Sequence, residues 1–528
     1  MFKKLHKLFN SRILWVSVLL FLEIALIVVF AYSIVGSFMS LLNLEEWQVW
    51  LILLALLYVV SFVIVVYIVN SHAKPPYKIT WLVVVAIFPF LGAFLYLLFG
   101  NKKITYRQKR RVKPIFDLLS SNHVDRAISQ KLGQENPDAI RIAEYIANAS
   151  GADLYKNSRV TYYPSGEAVF PVMLEELKKA KSFIFIEYFI ISPGTFWDSI
   201  LKILVEKVKS GVDVRLIYDD VGSAGYVPLG YAKKLNALGI KTIVFHKFKP
   251  LLDVKINNRD HRKIMVIDGK VGFSGGINLA DEYINKYSRF GYWKDNAIRI
   301  EGEAVYGLTT LFLTQWLILN NVDLSQINFS NNDYLKYFPS NIGVNDVGYV
   351  QPYGDLPYNE ESVGERVYLN LIARANKYIY ITTPYLIIDD EIINALTNAA
   401  KQGIDVRIIT PHIPDKKITF RITRSHYRNL LKNGVKIYEY KPGFIHMKMF
   451  VVDDIFATVG TINLDYRSLY LHLENATFMY RTNCILDMKN DFLDSVRQSI
   501  EFTYESYKKY AAPRRFLWAF LRLFAPLL

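Results

Sequence analysis

One short pattern is spelled twice in this chain. His261-Arg262-Lys263 is followed by Asp268, and His446-Met447-Lys448 by Asp453, so that each copy reads His, one residue, Lys, four residues, Asp. A run of small residues and an asparagine follows in both, Ser274–Asn278 in the first and Gly460–Asn463 in the second. The surroundings repeat as well. Gly211–Arg215 (GVDVR) returns as Gly403–Arg407 (GIDVR) 192 positions later, the glycine of Leu238–Lys241 returns in Asn433–Lys436 195 positions later, and the histidines are 185 apart. Three landmarks at similar offsets indicate a duplicated α/β unit, which restricts the chain to two related domains that each supply half of a site.

The order of elements within each half supports this reading. Gly166–Ala180 has helical spacing with Val169, Met173, Leu174 and Leu177 on one face. Phe183–Ile191 (FIFIEYFII) is a buried strand, Ser199–Lys209 a helix and Val212–Tyr218 a second strand. The later copies are a helix over Arg366–Asn376, a strand over Tyr378–Thr382, a helix over Glu391–Lys401 and a strand over Ile404–Ile409. The Asn- and Ser-rich stretch Ser325–Asp346 is the expected joint between the halves.

Hydrophobic residues make up 52% of the 528, and the excess lies at the front. Apolar segments at about 13–38, 49–69 and 81–99 are each long enough to cross a hydrocarbon core of about 30 Å. The first contains Glu23, and the third contains Pro89 and Gly92, which membrane helices tolerate. No small-residue cleavage site follows the first, so an anchor is expected rather than a removed signal peptide. Basic residues flank the segments almost evenly, Lys3, Lys4, Lys7, Arg12, Lys74 and Lys78 on one side and Lys102, Lys103, Arg107, Lys109, Arg110, Arg111 and Lys113 on the other, so the positive-inside rule does not set the orientation. The expected organisation is an anchor over 1–104, a juxtamembrane linker and entry helices over 105–156, α/β domains over 157–330 and 345–505, and a basic amphipathic segment over 506–528 that suits a membrane interface. Net charge is +15, which beside membrane anchors points to anionic lipid rather than nucleic acid. Cys484 is the single cysteine, which excludes an intrachain disulfide and a cysteine-built metal site.

Each His-x-Lys heads a strand-like run, and residues two apart on a strand face the same side. His261 projects with Lys263 and His446 with Lys448. The lysine gives charge-assisted donors to phosphate oxygens, and the histidine beside it can attack phosphorus or carry a proton. Asp268 and Asp453 complete the motifs from the far end of each strand, where a structural role on the following turn is expected rather than proton transfer. The glycines Gly275, Gly276 and Gly460 permit close backbone approach to a ligand, and Asn278 and Asn463 are candidate donors to phosphate. Asp295 and Glu474 are candidates to orient the two imidazoles, in a pairing the sequence leaves open. His246, His412, His426 and His472 lack comparable context and are expected to be structural or solvated, with His412 and His426 possible lining of a substrate path. No third ligand recurs at metal-like spacing and each histidine has a cationic neighbour, so a site without metal or cofactor is expected.

These motifs resemble those of the phospholipase D superfamily. Within it, HRKIMVIDGKVGFSGGINLADEY (261–283), HMKMFVVDD (446–454) and GTINLDYRSLYLHLENA (460–476) resemble the bacterial cardiolipin synthases, supported by IEYFI (186–190), YDDVGS (218–223), TTPYL (382–386) and the hydrophobic FPFLGAFLYLLFG (88–100). The resemblance runs from about residue 49 to the end. The chain departs from it in the hydrophobic segment before residue 40 and in Phe185, where similar sequences often carry His. The resemblance implies an α/β fold of two pseudo-twofold-related domains with central mixed sheets behind N-terminal transmembrane helices, in a multi-pass protein of the bacterial cell membrane. It implies a ping-pong transfer in which His261 attacks phosphatidylglycerol, His446 protonates the departing glycerol, and a second phosphatidylglycerol takes the phosphatidyl group to give cardiolipin. Lys263, Lys448, Asn278 and Asn463 would steady the transition state, and self-association is compatible with this scheme. Hydrolysis to phosphatidic acid by the same residues is the alternative.

Overall fold

A computed structural model describes residues 45–100, 126–247, 258–320, 334–357 and 361–527, together with Ser33, Pro114, Ile115, Leu119 and Asn359. The first apolar segment, most of the juxtamembrane linker and the start of the expected joint lie outside the described residues. What is described falls into two units, the helices before residue 101 and the α/β body.

In the first unit the helix Glu46–Asn70 is apolar all round, and Trp47–Asn70 is long and apolar enough to cross a membrane. The segment expected as a third single crossing instead forms two helices, Pro75–Ile87 and Pro89–Phe99. Pro89 explains the break, because it lacks an N–H and disfavours helical geometry at the residue before it, and Phe88 turns out with φ −127° and ψ 76°. Thirteen residues of helix span about 20 Å, short of a hydrocarbon core. The two short helices pack closely at Gly92, where an added Cβ would stand 2.6 Å from the Val84 carbonyl oxygen.

The body carries two mixed sheets of the same topology. In the first half the strands are β1 (Ser158–Tyr163), β2 (Phe183–Tyr188), β3 (Asp213–Asp219), β4 (Lys241–Phe245), β5 (Lys263–Ile267), β6 (Val271–Gly275), β7 (Tyr292–Lys294) and β8 (Ala297–Gly302). The second half has β9 (Tyr349–Asp355), β10 (Tyr378–Thr382), β11 (Asp405–Pro411), β12 (Lys436–Tyr440), β13 (Gly443–Ile445), β14 (Met449–Val452), β15 (Phe456–Gly460), β16 (Glu474–Tyr480) and β17 (Ser499–Phe502). The sheet orders are β1-β8-β6-β5-β2-β3-β4 and β9-β16-β15-β14-β10-β11-β12-β17, so the second repeats the first and adds one edge strand. In both, three neighbouring strands run parallel and the motif strand, β5 or β14, lies antiparallel against the first of them.

Both faces of each sheet are covered, so the central strands are buried along their length. On β2, Ile184, Ile186 and Tyr188 face the helices Gly166–Lys179 and Thr195–Lys209, and Phe183 and Phe185 face a core shared by the two halves. That shared core holds Ile264 and Val266 of β5, Met449 and Val451 of β14, and the helix Val305–Leu319, which is apolar because it is enclosed on nearly every side. Phe185 stacks on Phe312 with ring centroids 4.5 Å apart, a packing role for the position where a histidine was the family expectation.

Candidate active site

The two motif strands bring both histidines to one place at the boundary of the halves. Each is pinned there by the other half's backbone. The His261 N–H donates to the Leu473 carbonyl at 2.9 Å, and the His446 N–H donates to the Lys294 carbonyl at 2.7 Å. Leu473 and Lys294 are the residues immediately before Glu474 and Asp295, so the side-chain pairing is crossed too. His261 Nδ1 lies 3.0 and 2.9 Å from the two oxygens of Glu474, and His446 Nδ1 lies 2.7 Å from Asp295 Oδ2. The parallel pair β7–β13 and the bridge Asp260–Leu473 are the backbone stitches that hold this exchange in register.

Lys263 and Lys448 lie on the same side of their strands as the histidines. Lys263 Nζ donates to the His261 carbonyl at 2.6 Å, and Lys448 Nζ donates to the His446 carbonyl while lying 2.8 and 3.1 Å from the two ring nitrogens. All four side chains are buried, yet each histidine keeps 7% exposure, enough to meet a ligand. Asn475 and Asn296 each follow an orienting carboxylate. The Asn475 side chain crosses between halves, accepting from the Lys263 N–H at 3.2 Å and donating to Ser274 Oγ at 2.7 Å. The recurrence of a carboxylate followed by Asn, Asp295-Asn296 and Glu474-Asn475, was the signal that could have found them.

Several expected roles change in detail. Asp268 does not serve the turn after its strand. It accepts from the N–H groups of Lys181, Ser182 and Phe183 at 2.7–2.9 Å, closing the entry to β2, and Asp453 does the same for Asn376, Lys377 and Tyr378 at 2.6–2.9 Å. Five residues of extended chain, about 16 Å, separate them from the motif lysines, and the histidines stand two residues further off. One N–H of each asparagine amide is also engaged within the protein. Asn278 Nδ2 donates to Tyr283 Oη at 2.6 Å, and Asn463 Nδ2 donates to Ser468 Oγ at 3.0 Å. The small residues admit protein rather than ligand: a Cβ on Gly276 would fall 2.1 Å from Asp295 Oδ1, and one on Gly460 would fall 2.3 Å from the Asn475 carbonyl oxygen. His472, expected to be structural or solvated, stands at the site, with its ring centroid 5.6 Å from that of His261. His412 pairs with Glu439 at 2.9 Å, and His426 is buried on the helix Lys417–Lys432.

Burial governs the electrostatics. It drives the His261 imidazole well below its usual pKa and Glu474 well above, and the Nδ1–carboxylate contact fixes the ring with Nε2 turned away from Glu474. Burial and then the Lys448 charge bring His446 down to about 4, with Asp295 opposing. Burial also brings Lys263 down to about 7 and Lys448 to about 8, despite the acidic groups nearby. The site is closely enclosed, and a phosphodiester would bring further negative charge to its two lysines. Bound phosphate would restore both lysines to the charged form and favour an imidazolium.

The chain matches the family model described as cardiolipin synthase, phospholipase D-like domain, at residues 173–306 and 368–496, and the model described as phospholipase D-nuclease N-terminal at residues 56–101. It is 36% identical over 504 residues to a cardiolipin synthase of Geobacillus sp. (strain WCH70), covering 94% of this chain and 97% of that one. It is 35% identical over 492 residues to a cardiolipin synthase of Halalkalibacterium halodurans, covering 91% and 95%. An uncharacterized protein of Streptococcus mutans serotype c is 44% identical over 472 residues, 88% of this chain and 99% of that one. Among solved structures, phosphatidylserine synthase from Haemophilus influenzae Rd KW20 superposes with a TM-score of 0.55 at 15% identity over 74% of this chain and 99% of that one, a likeness of fold.

Proposed function

The chain belongs to the cardiolipin synthase family of phospholipase D-like proteins, and on that footing we propose that it transfers a phosphatidyl group between two phosphatidylglycerol molecules, giving cardiolipin and glycerol. The observation that carries this reading is the crossed pair of imidazole–carboxylate contacts. Two histidines face one chamber, and each is oriented through Nδ1 so that Nε2 does the chemistry.

His261 Nε2 attacks phosphorus, forming a P–N bond as the P–O bond to glycerol breaks. His446, as imidazolium, gives its Nε2 proton to the departing glycerol oxygen. The hydroxyl of a second phosphatidylglycerol then returns a proton to His446 and attacks phosphorus, and the P–N bond breaks to release cardiolipin. Both histidines end as they began, so atoms and protons balance. Glu474 stabilises the positive charge that His261 carries in the adduct, and Lys263 and Lys448 take the charge that grows on the phosphoryl oxygens. Asp268 and Asp453 hold the motif strands against their neighbours, and Asn278 and Asn463 brace the loops beside the chamber.

The substrate is a lipid, and the chain suits a membrane. The helix Trp47–Asn70 is a candidate span, and the broken pair Pro75–Ile87 and Pro89–Phe99 is an apolar hairpin fit to enter the bilayer from one face, which together make a membrane anchor. At the other end, the helix Ala512–Arg522 buries Trp518 against the body, with Arg514 over the Trp518 and Tyr510 rings, and presents Phe516, Phe520 and Leu523 on the opposite stripe. An outward apolar stripe on a basic helix suits an anionic bilayer surface.

The test uses the purified full chain in phosphatidylglycerol vesicles without added metal or nucleotide-linked lipid, with lipid mass spectrometry as readout. Cardiolipin and glycerol in equal amounts are expected. Phosphatidic acid in place of cardiolipin would make the protein a hydrolase.

A further inference from the structure

The second half of the proposed transfer brings two phosphates together, one on the enzyme and one belonging to the incoming lipid. The paired motifs account for the first. The structure around His261 offers something for the other, and it is absent from the equivalent place in the first repeat. His472 lies two residues before Glu474, where the first repeat has Trp293 two residues before Asp295. Around His446 the neighbours are therefore aromatic, with Trp293 at 5.4 Å, Tyr283 at 5.7 Å and Phe444 at 5.8 Å between ring centroids. Around His261 they are Phe189 at 5.1 Å and the second imidazole at 5.6 Å.

His472 is nearly enclosed, its side chain 11% exposed, yet neither ring nitrogen has a hydrogen-bond partner, and Glu474 Oε1 stands off at 3.6 Å from Nδ1. Its surroundings are cationic. The His472 N–H donates to the Arg467 carbonyl at 2.9 Å, closing the turn at the end of the helix Tyr466–Tyr470. The next residue, Leu473, donates to the Arg259 carbonyl at 2.8 Å, which brings Arg259 alongside. After burial, the charges of Arg467, Lys263, Arg259 and Lys416 depress the protonation of the His472 ring, in that order. Arg467 and Lys416 are exposed. Nearby acids are already engaged: Asp465 accepts the Ser468 N–H at 2.9 Å, Asp415 accepts the Tyr385 hydroxyl at 2.6 Å with Lys416 Nζ 3.9 Å away, and Glu474 serves His261.

We propose that Arg467 and His472, backed by Arg259, form a subsite for the unreacting phosphodiester of the acceptor phosphatidylglycerol. The inference rests on the transfer reading above and deepens it. A duplicated site with two alike flanks would treat both substrates alike, whereas this one has an aromatic flank and a cationic flank. A neutral imidazole with unused nitrogens can donate one N–H to a phosphate oxygen, and the exposed Arg467 supplies charge where the lipid anion arrives. Water carries no phosphate and gains nothing from the subsite, so the same contact biases the adduct towards transfer and away from hydrolysis.

The test sets two acceptors in competition on the full-length protein in phosphatidylglycerol vesicles containing ethanol. Cardiolipin and phosphatidylethanol are both measured by mass spectrometry. Arg467→Ala and His472→Ala are expected to lower the ratio of cardiolipin to phosphatidylethanol by about tenfold, the loss of one charge-assisted contact, and Arg467→Lys to recover part of it. Arg467 is exposed, so its variant reads out even where His472→Ala folds poorly. An unchanged ratio in Arg467→Ala, with wild-type protein making cardiolipin, overturns the subsite alone. Wild-type protein that makes no cardiolipin overturns the transfer reading and the subsite with it.

Discussion

His261 Nδ1 lies 2.9 Å from Glu474 Oε2, and the two residues belong to different repeats. With His446 and Asp295 paired in the opposite sense, neither half of the molecule holds a complete imidazole–carboxylate pair. Glu474→Gln keeps the shape of the contact but removes the charge that supports the phosphatidyl-imidazolium. By analogy with the buried aspartate of a serine-protease triad, turnover should fall about 10³- to 10⁴-fold with the fold retained. Steady-state cardiolipin formation and circular dichroism together check this. Activity within tenfold of wild type would show that the cross-repeat contact is structural only.

The roles of the two histidines can be separated by trapping. His446→Ala leaves the nucleophile but removes the proton donor and the base for the second step, so a phosphatidyl group should accumulate on His261 when a substrate with a good leaving group is supplied. Intact-protein mass spectrometry should find the adduct, and peptide mapping should find it on residue 261. An adduct on residue 446 of His261→Ala, with none in His446→Ala, would reverse the assignment.

Between its two motif residues the first repeat buries an ion pair that the second repeat does without. Arg262 lies 2.5 Å from Glu187 and 3.1 Å from Asp260, all three almost fully enclosed. At the matching positions the second repeat has Met447, Thr382 and Ile445. Arg262→Met alone should cost about 3–5 kcal/mol, because it strands two buried carboxylates. The triple change Asp260→Ile, Glu187→Thr, Arg262→Met copies the second repeat and should recover most of that loss. Urea unfolding of the single and triple variants measures it, and a triple variant no more stable than the single would mean that the two repeats pack differently around this point.

The duplication, the motif strands and both orienting carboxylates were legible in the sequence because they depend on local order and on a repeat. The crossed pairing was not, because Glu474 is 213 residues from His261 and only the fold brings them together. His472 went unrecognised for a related reason. A histidine has no periodic signature of its own, and its importance comes from standing beside the carboxylate that another motif uses. Asn278 and Asn463, whose position after the small-residue run suggests ligands, also fasten their own loops. One N–H of each amide donates to Tyr283 or Ser468, since a loop brought so close to a strand needs its own fastening.

Substrate affinity and folding stability should respond to pH in opposite directions. Burial holds Lys263 near 7 and Lys448 near 8, below the usual 10.5. As pH rises through those values the folded protein gives up protons that the unfolded chain still holds. The unfolded state then binds more protons, so stability increases with pH from about 7 towards about 10. Over the same window the site loses the charge that attracts phosphate, so KM for phosphatidylglycerol should rise. Lys263→Met should flatten the lower part of the stability curve and leave the Lys448 part in place. Thermal unfolding and initial-rate measurements at matched ionic strength give both curves, and stability that falls between pH 7 and 9 would contradict the assignment.

The C-terminal helix supplies the last prediction. Phe516 is 72% exposed, Phe520 47% and Leu523 39%, and their spacing of four and three residues places them on one stripe opposite the buried Trp518. Exposed aromatic side chains are costly in water and are stabilised at a bilayer interface. A polarity-sensitive dye can be attached at Phe520→Cys in a Cys484→Ala background, because Cys484 is the single native cysteine and is buried. In full-length protein reconstituted into vesicles, the dye emission should shift to the blue in phosphatidylglycerol and much less in phosphatidylcholine. The shift should shrink when Arg514→Ala and Arg515→Ala are added, since each basic residue near an anionic surface contributes about 1 kcal/mol. Water-like emission on phosphatidylglycerol vesicles that support turnover would mean that this face does not meet the membrane.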